Sequence, residues 1–436
     1  MFTSSEEFIQ FLRTHSKFSM NLGLGRIAKA CELLNNPQLK RSTIHVGGTN
    51  GKGSTCNYLM HLLMEDGFKV GLFVSPYIET FNERIQINGR YISDQDLVDI
   101  ANDLLPIINR VEGQLQESLT EFEVITLLSF VYFDQQDVDF AIYEVGLGGR
   151  FDATNVIHPM VAGITNISLE HTDVLGDTIG KIAYEKIGIA KPGLRLYTTE
   201  TKEEALDVFR TAERQVGYTL LPITTSDRVR DVELLDDGVR FTYLPLELTI
   251  TLPLLGYHQV ENAVLALEMY RDIMNQLALP IDTQRIQSAF RQSFWPGRLE
   301  IISKNPFIIL DGSHNEAGVQ KLVEVMDRYR KRGYRIHTIF SALRDKDTKG
   351  MINHLDGISE SICFTTFPFY RASTAHALAE KSHHPKKTIC EDFRQAIEER
   401  MKNLAANDLL LVTGSLYFIS QVKQFFRERH IIEELK

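Results

Sequence analysis

The residues with the clearest chemical potential form one octet, Gly47-Gly48-Thr49-Asn50-Gly51-Lys52-Gly53-Ser54, set between a β-rich run and a helical one. Glycines let a backbone wrap closely around a phosphate chain, the start of a helix turns free N–H groups toward an anion, and Lys52 adds a mobile positive charge. Ser54 would offer a hydroxyl to phosphate or to Mg2+. The octet departs from the P-loop pattern GxxxxGK[ST], because Val46 holds the first glycine position and Gly53 separates Lys52 from Ser54. Two more groups lie just past apolar runs. Glu144 follows FAIY, where a carboxylate at the end of a parallel strand reaches a metal beside a nucleotide. His171, in LEHTDVLG, carries an imidazole that can ligate a divalent ion, with Asp173 close enough in sequence to orient the ring.

These groups need elements to hold them. STIHV (42–46) reads as a strand, TCNYLMHLLMEDG as a helix stopped by Gly67, and KVGLFVSP as a second buried strand. That strand, glycine loop, helix, strand order is the local unit of a parallel α/β sheet with right-handed crossovers. DFAIYEVG (139–146) and MVAGITNISL (160–169) predict further strands covered on both faces, with helices over 119–133 and 179–190. The stretch 228–251 alternates about Asp236-Asp237-Gly238 and predicts an antiparallel hairpin inserted at the edge. At SFWPGRLE (293–300) a Trp, a Pro and a Gly interrupt a helical pattern, which places the domain boundary there. Beyond it PFIILDG, a helix over 316–331, RIHTIF, SICFTTF and DLLLVTG make a second α/β series. The expectation is an α/β chain of two domains. An N-terminal P-loop ATPase-type parallel sheet with an added small antiparallel sheet covers 1–293, a hinge linker covers 294–300, and a Rossmann-like α/β domain covers 301–436.

GTNGKGS, SPY…NERIQING, EVGLGGRFDATN, LEHTDVLG, EKIGIAKPG, GYHQVENA, PGRLE and LDGSHN follow one another in this chain. In that order they resemble folylpolyglutamate synthase and dihydrofolate synthase of the Mur ligase superfamily, over roughly residues 20–420. The family places a Gly between the lysine and the hydroxyl residue, which accounts for Gly53. The resemblance implies an ATP-dependent ligase that adds L-glutamate to folate or dihydropteroate through an acyl phosphate. It further implies that Ser54, Ser75, Glu144 and His171 serve one or two Mg2+ sites, and that Lys186 is carbamylated by CO2 in the active protein. Sequence alone would read Lys186 as a plain helix-surface lysine. Asn262 matches an adenine contact, and Arg298 and Asp311 match nucleotide contacts. His314 would face the nucleotide or the incoming glutamate. For Asp311 and His314 the other reading is a simple helix start before Glu316, where Asp, Ser and Asn are favoured caps. Tyr77, Phe81, Arg84, Arg150 and Asp152 would hold the pterin-bearing substrate, with Phe151 standing where Leu is more usual.

The bulk numbers fit such an enzyme. Apolar residues make up 43% and charged residues 24%, as in a soluble globular chain. The formal charge of −10, without a long Lys/Arg run, argues against a nucleic-acid partner. No 18-residue apolar run and no signal-peptide block occur, so the expectation is a cytoplasmic monomer with no membrane partner. Cys31, Cys56, Cys363 and Cys390 show no zinc spacing and are expected to be reduced and structural. Three other readings compete. A cell-wall Mur ligase would carry a UDP-binding domain ahead of the P-loop, where only 46 residues stand here. A nucleotide switch would show an Asn-Lys-x-Asp motif, and a non-catalytic relative would have lost metal and phosphate residues that are all present.

Overall fold

The computed structural model describes residues 1–15 and 23–431. They fall into two compact units. The first is Met1–Asp231 with Phe241–Ile250 and Val260–Ser293; the second is Val232–Arg240, Thr251–Gln259 and Phe294–Lys436.

The first unit carries an eight-stranded sheet of β1 (Ser42–Gly47), β2 (Val70–Phe73), β3 (Ile85–Ile87), β4 (Arg90–Tyr91), β5 (Phe140–Glu144), β6 (Val161–Ile164), β7 (Arg195–Thr198) and β8 (Thr219–Pro222). Their spatial order is 4-3-2-5-1-6-7-8. Strands β2, β5, β1, β6, β7 and β8 run parallel, and β3 and β4 add an antiparallel edge. The turn between β3 and β4 is Asn88-Gly89, both at positive φ, the left-handed pair a tight hairpin requires. Chain connections leave β1 toward one side of the sheet and β6 toward the other, so the crevice at their carboxyl ends is a topological switch point, where ligands of open α/β sheets gather.

Strand β6 ends at Ile164, short of the 160–169 run expected. Thr165 N–H donates to Gly47 O (3.0 Å) and Asn166 O accepts from Thr49 N–H (2.7 Å), so the chain bends into the glycine loop after four residues. The 228–251 segment also differs from its expected form. It makes β9 (Val229–Leu234), β10 (Val239–Tyr243) and β11 (Leu248–Leu252), a separate three-stranded sheet in the order 11-10-9, not a hairpin on the edge of the large sheet.

In the second unit β12 (Glu300–Lys304), β13 (Phe307–Asp311), β14 (Arg335–Phe340), β15 (Ser361–Thr365), β16 (Lys387–Cys390) and β17 (Asp408–Thr413) form a sheet in the order 12-13-17-14-15-16. All its pairs are parallel except β12 with β13. The apolar runs FIIL and LLLV serve two cores by alternation. Ile309, Leu409 and Leu411 pack with Val319, Leu322 and Met326 of the Glu316–Lys331 helix. Ile308, Leu310, Leu410 and Val412 pack with Phe418, Ile419 and Val422 of the Leu416–Glu428 helix. That is the period-2 geometry of a strand covered on both faces. All four cysteines are free thiols.

Candidate active site

Gly47 closes β1, and the glycine loop then runs into the Lys52–Glu65 helix, whose N-cap Gly51 has φ +88 and no capping side chain. The first N–H groups of that helix are therefore left to a ligand. A side chain at Gly48 (φ +130) would overlap Thr165, and one at Gly51 would overlap the Asn262 amide. The loop is tied to the segment after β6. Asn50 N–H donates to Asn166 Oδ1 (3.2 Å), Asn166 Nδ2 donates to Asn50 O (3.0 Å), and Ser168 N–H donates to Thr49 Oγ1 (3.0 Å). Lys52 Nζ curls back to donate to Gly48 O and Thr49 O, each at 3.1 Å, over the concavity a phosphate chain would fill. Gly53 and Ser54 are buried in the first helical turn. Asn262 of the Tyr257–Gln276 helix thus lies against this loop.

Strand register sets Glu144 level with Val46, one residue before the loop. Its side chain is buried, and Oε2 accepts from Ser75 N–H at 3.1 Å. Burial pushes the Cys56 thiol well up; Glu144 adds to that rise while Lys52 opposes it, so both charges act on the same point of the helix. His171 caps the short Thr172–Leu175 helix at φ +50 with a partly exposed ring. The carboxylate found beside the ring is Glu170, at 3.9 Å from Nε2, and not the expected Asp173, which is exposed. Among the described residues no three His, Cys, Asp or Glu side chains gather as a metal cluster. One buried carboxylate, Glu144, at the strand end next to the glycine loop nevertheless fits Mg2+, which takes one or two carboxylates and fills its octahedron with water and substrate phosphates.

Lys186 is not on a helix surface. It is 5% exposed, and Nζ donates to Gly48 O at 2.8 Å, joining the Ile179–Ile187 helix to the glycine loop. Burial, helped by the charge of Lys52, lowers its ammonium to about 7, while Glu170 and Asp152 pull the other way.

The expected substrate loops are built from their own side chains. Glu83 accepts from the N–H groups of Ile78 (2.7 Å), Glu79 (2.8 Å) and Thr80 (2.8 Å), which shapes the turn after Ser75. Arg84 is buried, with its guanidinium 5.2 Å from the Tyr77 ring, 5.4 Å from Phe81 and 3.6 Å from Glu121, so the three residues expected together do meet. Arg150 lies 4.0 Å over Tyr184 and donates to Tyr184 O (3.0 Å), and Gly149 approaches Lys186 O too closely for a Cβ. Asp152 is buried and spends its oxygens on Leu147 N–H (2.8 Å) and Thr154 N–H (3.0 Å), so it shapes the loop from within. Burial raises its carboxyl, and those bonds oppose the rise. Phe151 projects from the same loop, 44% exposed. Sequence reading passed over His45, a buried β1 residue whose Nε2 meets Thr154 Oγ1 at 2.8 Å behind this loop.

In the second unit Asp311 ends β13. Its Oδ2 accepts from Leu299 N–H (2.9 Å) and Oδ1 from Ser313 N–H (2.8 Å), while His314 Nδ1 meets Gly312 O at 3.0 Å. Capping of the Glu316–Lys331 helix falls to Asn315, which accepts from Gly318 N–H at 2.8 Å, so neither Asp311 nor His314 is used as the cap. Arg298 sits between Gly297 (φ +68) and Leu299 (φ +48), and a Cβ on Gly312 would lie 3.1 Å from its guanidinium. Glu300 and Lys423 form a buried ion pair at 2.9 Å beneath this turn; sequence reading assigned them nothing.

A parallel sheet whose first strand feeds a lysine-bearing glycine loop, with an acid at the end of the neighbouring strand, defines a phosphate-binding α/β fold of P-loop type, and the Mur ligase domains this chain matches make it an ATP-dependent, amide-forming ligase. Residues 46–270 match the Mur ligase middle domain and residues 297–416 the Mur ligase glutamate ligase domain. The dihydrofolate synthase/folylpolyglutamate synthase of Bacillus subtilis is 38% identical over 97% of this chain and 99% of its own. Among solved structures, Mycobacterium tuberculosis folylpolyglutamate synthase complexed with ADP aligns with a TM-score of 0.87 at 27% identity, covering 97% of this chain and 98% of that one. A folylpolyglutamate synthase–AMPPCP–folate complex aligns at 0.84 and 31% identity over 97% of this chain and 99% of its own. The chain belongs to the Mur ligase family, with the folylpolyglutamate synthases and dihydrofolate synthases. Among the described residues no helix is long and apolar enough to cross a membrane.

Proposed function

We propose that this enzyme joins the α-amine of L-glutamate to a folate-type carboxylate, with ATP activating the acid as an acyl phosphate. The observation that carries the reading is the convergence of Lys52, Glu144 and buried Lys186 on one glycine loop, in a chain whose relatives are named for this reaction.

A free carboxylate is a poor electrophile. Its oxygen attacks the γ-phosphorus of ATP and ADP leaves, giving an acyl phosphate. The glutamate amine then attacks the acyl carbon and loses a proton, and the tetrahedral intermediate expels phosphate. Lys52 and the loop amides oppose the charge on the transferring phosphoryl group, the preorganised electrostatics that usually dominates such catalysis. Ser54, Ser75, Glu144 and His171 would hold Mg2+, and the ion would supply neutralisation of the phosphate oxygens. Asn262 and Arg298 contact the nucleotide with Asp311. His314 faces the nucleotide or glutamate. Tyr77, Phe81, Arg84, Arg150 and Asp152 hold the folate-type acid, and Asp152 also shapes the loop that carries Arg150.

Lys186 is the proposed carbamylation site. A lysine whose ammonium is lowered to about 7 keeps an unprotonated amine that attacks the carbon of CO2 and releases a proton, and the resulting carbamate anion would sit beside the ammonium of Lys52. The proposal is tested by ADP release from purified protein with MgATP and glutamate, offering dihydropteroate and tetrahydrofolate separately. Turnover with one, the other or both assigns a dihydrofolate synthase, a polyglutamate synthase or a bifunctional enzyme. No glutamate-dependent turnover with either defeats the folate reading and points to a Mur-type ligase for another acid.

A further inference from the structure

The turn that carries Arg298 is fastened at three of its backbone groups. Gly297 N–H donates to Glu300 Oε2 (2.8 Å), Gly297 O accepts from Gly312 N–H (2.8 Å), and Leu299 N–H donates to Asp311 Oδ2 (2.9 Å). Gly297 and Leu299 both hold positive φ, which Leu299 adopts only under such constraint. Glu300 is fastened in turn by Lys423 Nζ, at 2.9 Å from Oε1 and 3.1 Å from Oε2. Lys423 is 1% exposed on a helix face otherwise filled by Phe418, Ile419, Val422 and Phe426.

A lysine is an expensive choice for that face. Buried ion pairs add little or no net stability over apolar residues of similar volume, because desolvating both charges cancels their attraction. Packing alone would therefore be met as well by a leucine and a methionine. What an apolar pair cannot supply is a carboxylate fixed in orientation beneath Gly297 N–H. We infer that Lys423 and Glu300 are positioning residues for Arg298. They lock the 297–300 turn so that its guanidinium is presented to the nucleotide without first being ordered. The inference rests on the proposed nucleotide contact of Arg298.

The test compares Arg298→Ala, the apolar pair Glu300→Leu/Lys423→Met, and the triple variant in the full-length enzyme, reading KM for ATP, KM for glutamate, kcat and Tm. The pair variant is expected to raise KM for ATP about tenfold, with KM for glutamate and kcat at saturating ATP within about threefold. Arg298→Ala is expected to give a similar rise, and the triple variant no more than Arg298→Ala alone, because the pair acts through Arg298. Multiplying effects in the triple variant, or an unchanged KM for ATP in the pair variant, overturns the inference while leaving Arg298 itself in place. An unchanged KM for ATP in Arg298→Ala removes the nucleotide reading of Arg298, and the inference with it. Should the pair variant not fold, Glu300→Asp decides. It keeps the charge opposite Lys423 but withdraws the acceptor from Gly297, and a folded Glu300→Asp enzyme with wild-type KM for ATP refutes the positioning role.

Discussion

Lys186 offers the sharpest test of how this site works. Its ammonium falls from 10.5 to about 7, with burial as the larger cause and the neighbouring Lys52 charge as the second. At pH 7.4 a free lysine is neutral in under about one molecule in a thousand, whereas Lys186 would be neutral in about two of three. CO2 reacts only with the neutral amine, so burial makes far more of this side chain competent for carbamylation at pH 7.4 than of a surface lysine. With 13C-bicarbonate, the wild-type enzyme should show a carbamate carbonyl resonance that Lys186→Gln lacks, and activity should fall about tenfold in CO2-stripped buffer and return on adding bicarbonate. The same shift has a stability signature in the stripped enzyme. The unfolded chain binds the extra proton between pH 7 and pH 10.5, so stability through this group rises with pH across that window and the penalty is full below pH 7. Lys186→Met should therefore gain stability on the wild type, and the gain should shrink by about 2–3 kcal/mol between pH 6.5 and pH 9 in urea unfolding. A pH-independent gap, or full activity without CO2 and no Lys186-dependent resonance, refutes the reasoning.

Other outcomes follow from the same geometry. Lys52→Met should lower kcat by about 100- to 1000-fold, as for loss of one charge-stabilising donor, with a near-unchanged Tm; a loss under tenfold would remove Lys52 from the phosphoryl-transfer step. Gly48→Ala, whose Cβ would overlap Thr165, should raise KM for ATP at least tenfold and lower stability by about 1–3 kcal/mol; nucleotide titration and thermal unfolding read the two effects. Asp152→Ala frees Leu147 and Thr154 N–H groups and should cost about 1–3 kcal/mol, raising KM for the folate-type substrate more than KM for ATP in steady-state kinetics. Glu144→Gln should shift the Mg2+ titration of activity at least tenfold upward, and an unchanged titration would exclude the carboxylate as an ion ligand.

Much of this was legible because local chemistry and topology agree. A glycine octet between a strand and a helix has few uses other than holding phosphate, and Glu144 reads as a strand-end acid since β5 neighbours β1 in the same sheet. What escaped reading depends on distant partners. Lys186 occupies a helical spacing that suits a surface lysine, and its burial comes from segments distant in sequence, the loop after β1 among them. Glu300 and Lys423 are 123 positions apart, and neither residue type predicts the other. Asp152 stands in a motif read as substrate-binding, and its bonds to Leu147 and Thr154 within the same loop add a shaping role that the motif does not announce. The β3–β4 hairpin is different, since its Asn88-Gly89 signal was present in the sequence and was passed over inside a family motif.

The borders of the two sheets bear on how the protein behaves at high concentration. An open sheet exposes unpaired peptide groups along its outermost strands, and these can template pairing with another chain. Here β4 is two exposed residues long, and β8 ends in Pro222, which has no N–H to offer. In the other sheet β12 carries an irregularity between Ile301 and Ser303, and β16 begins with an exposed lysine. Each outer strand thus carries a feature that discourages pairing with a neighbour. The two larger sheets therefore keep their apolar runs on central strands and close at both sides with short or interrupted ones.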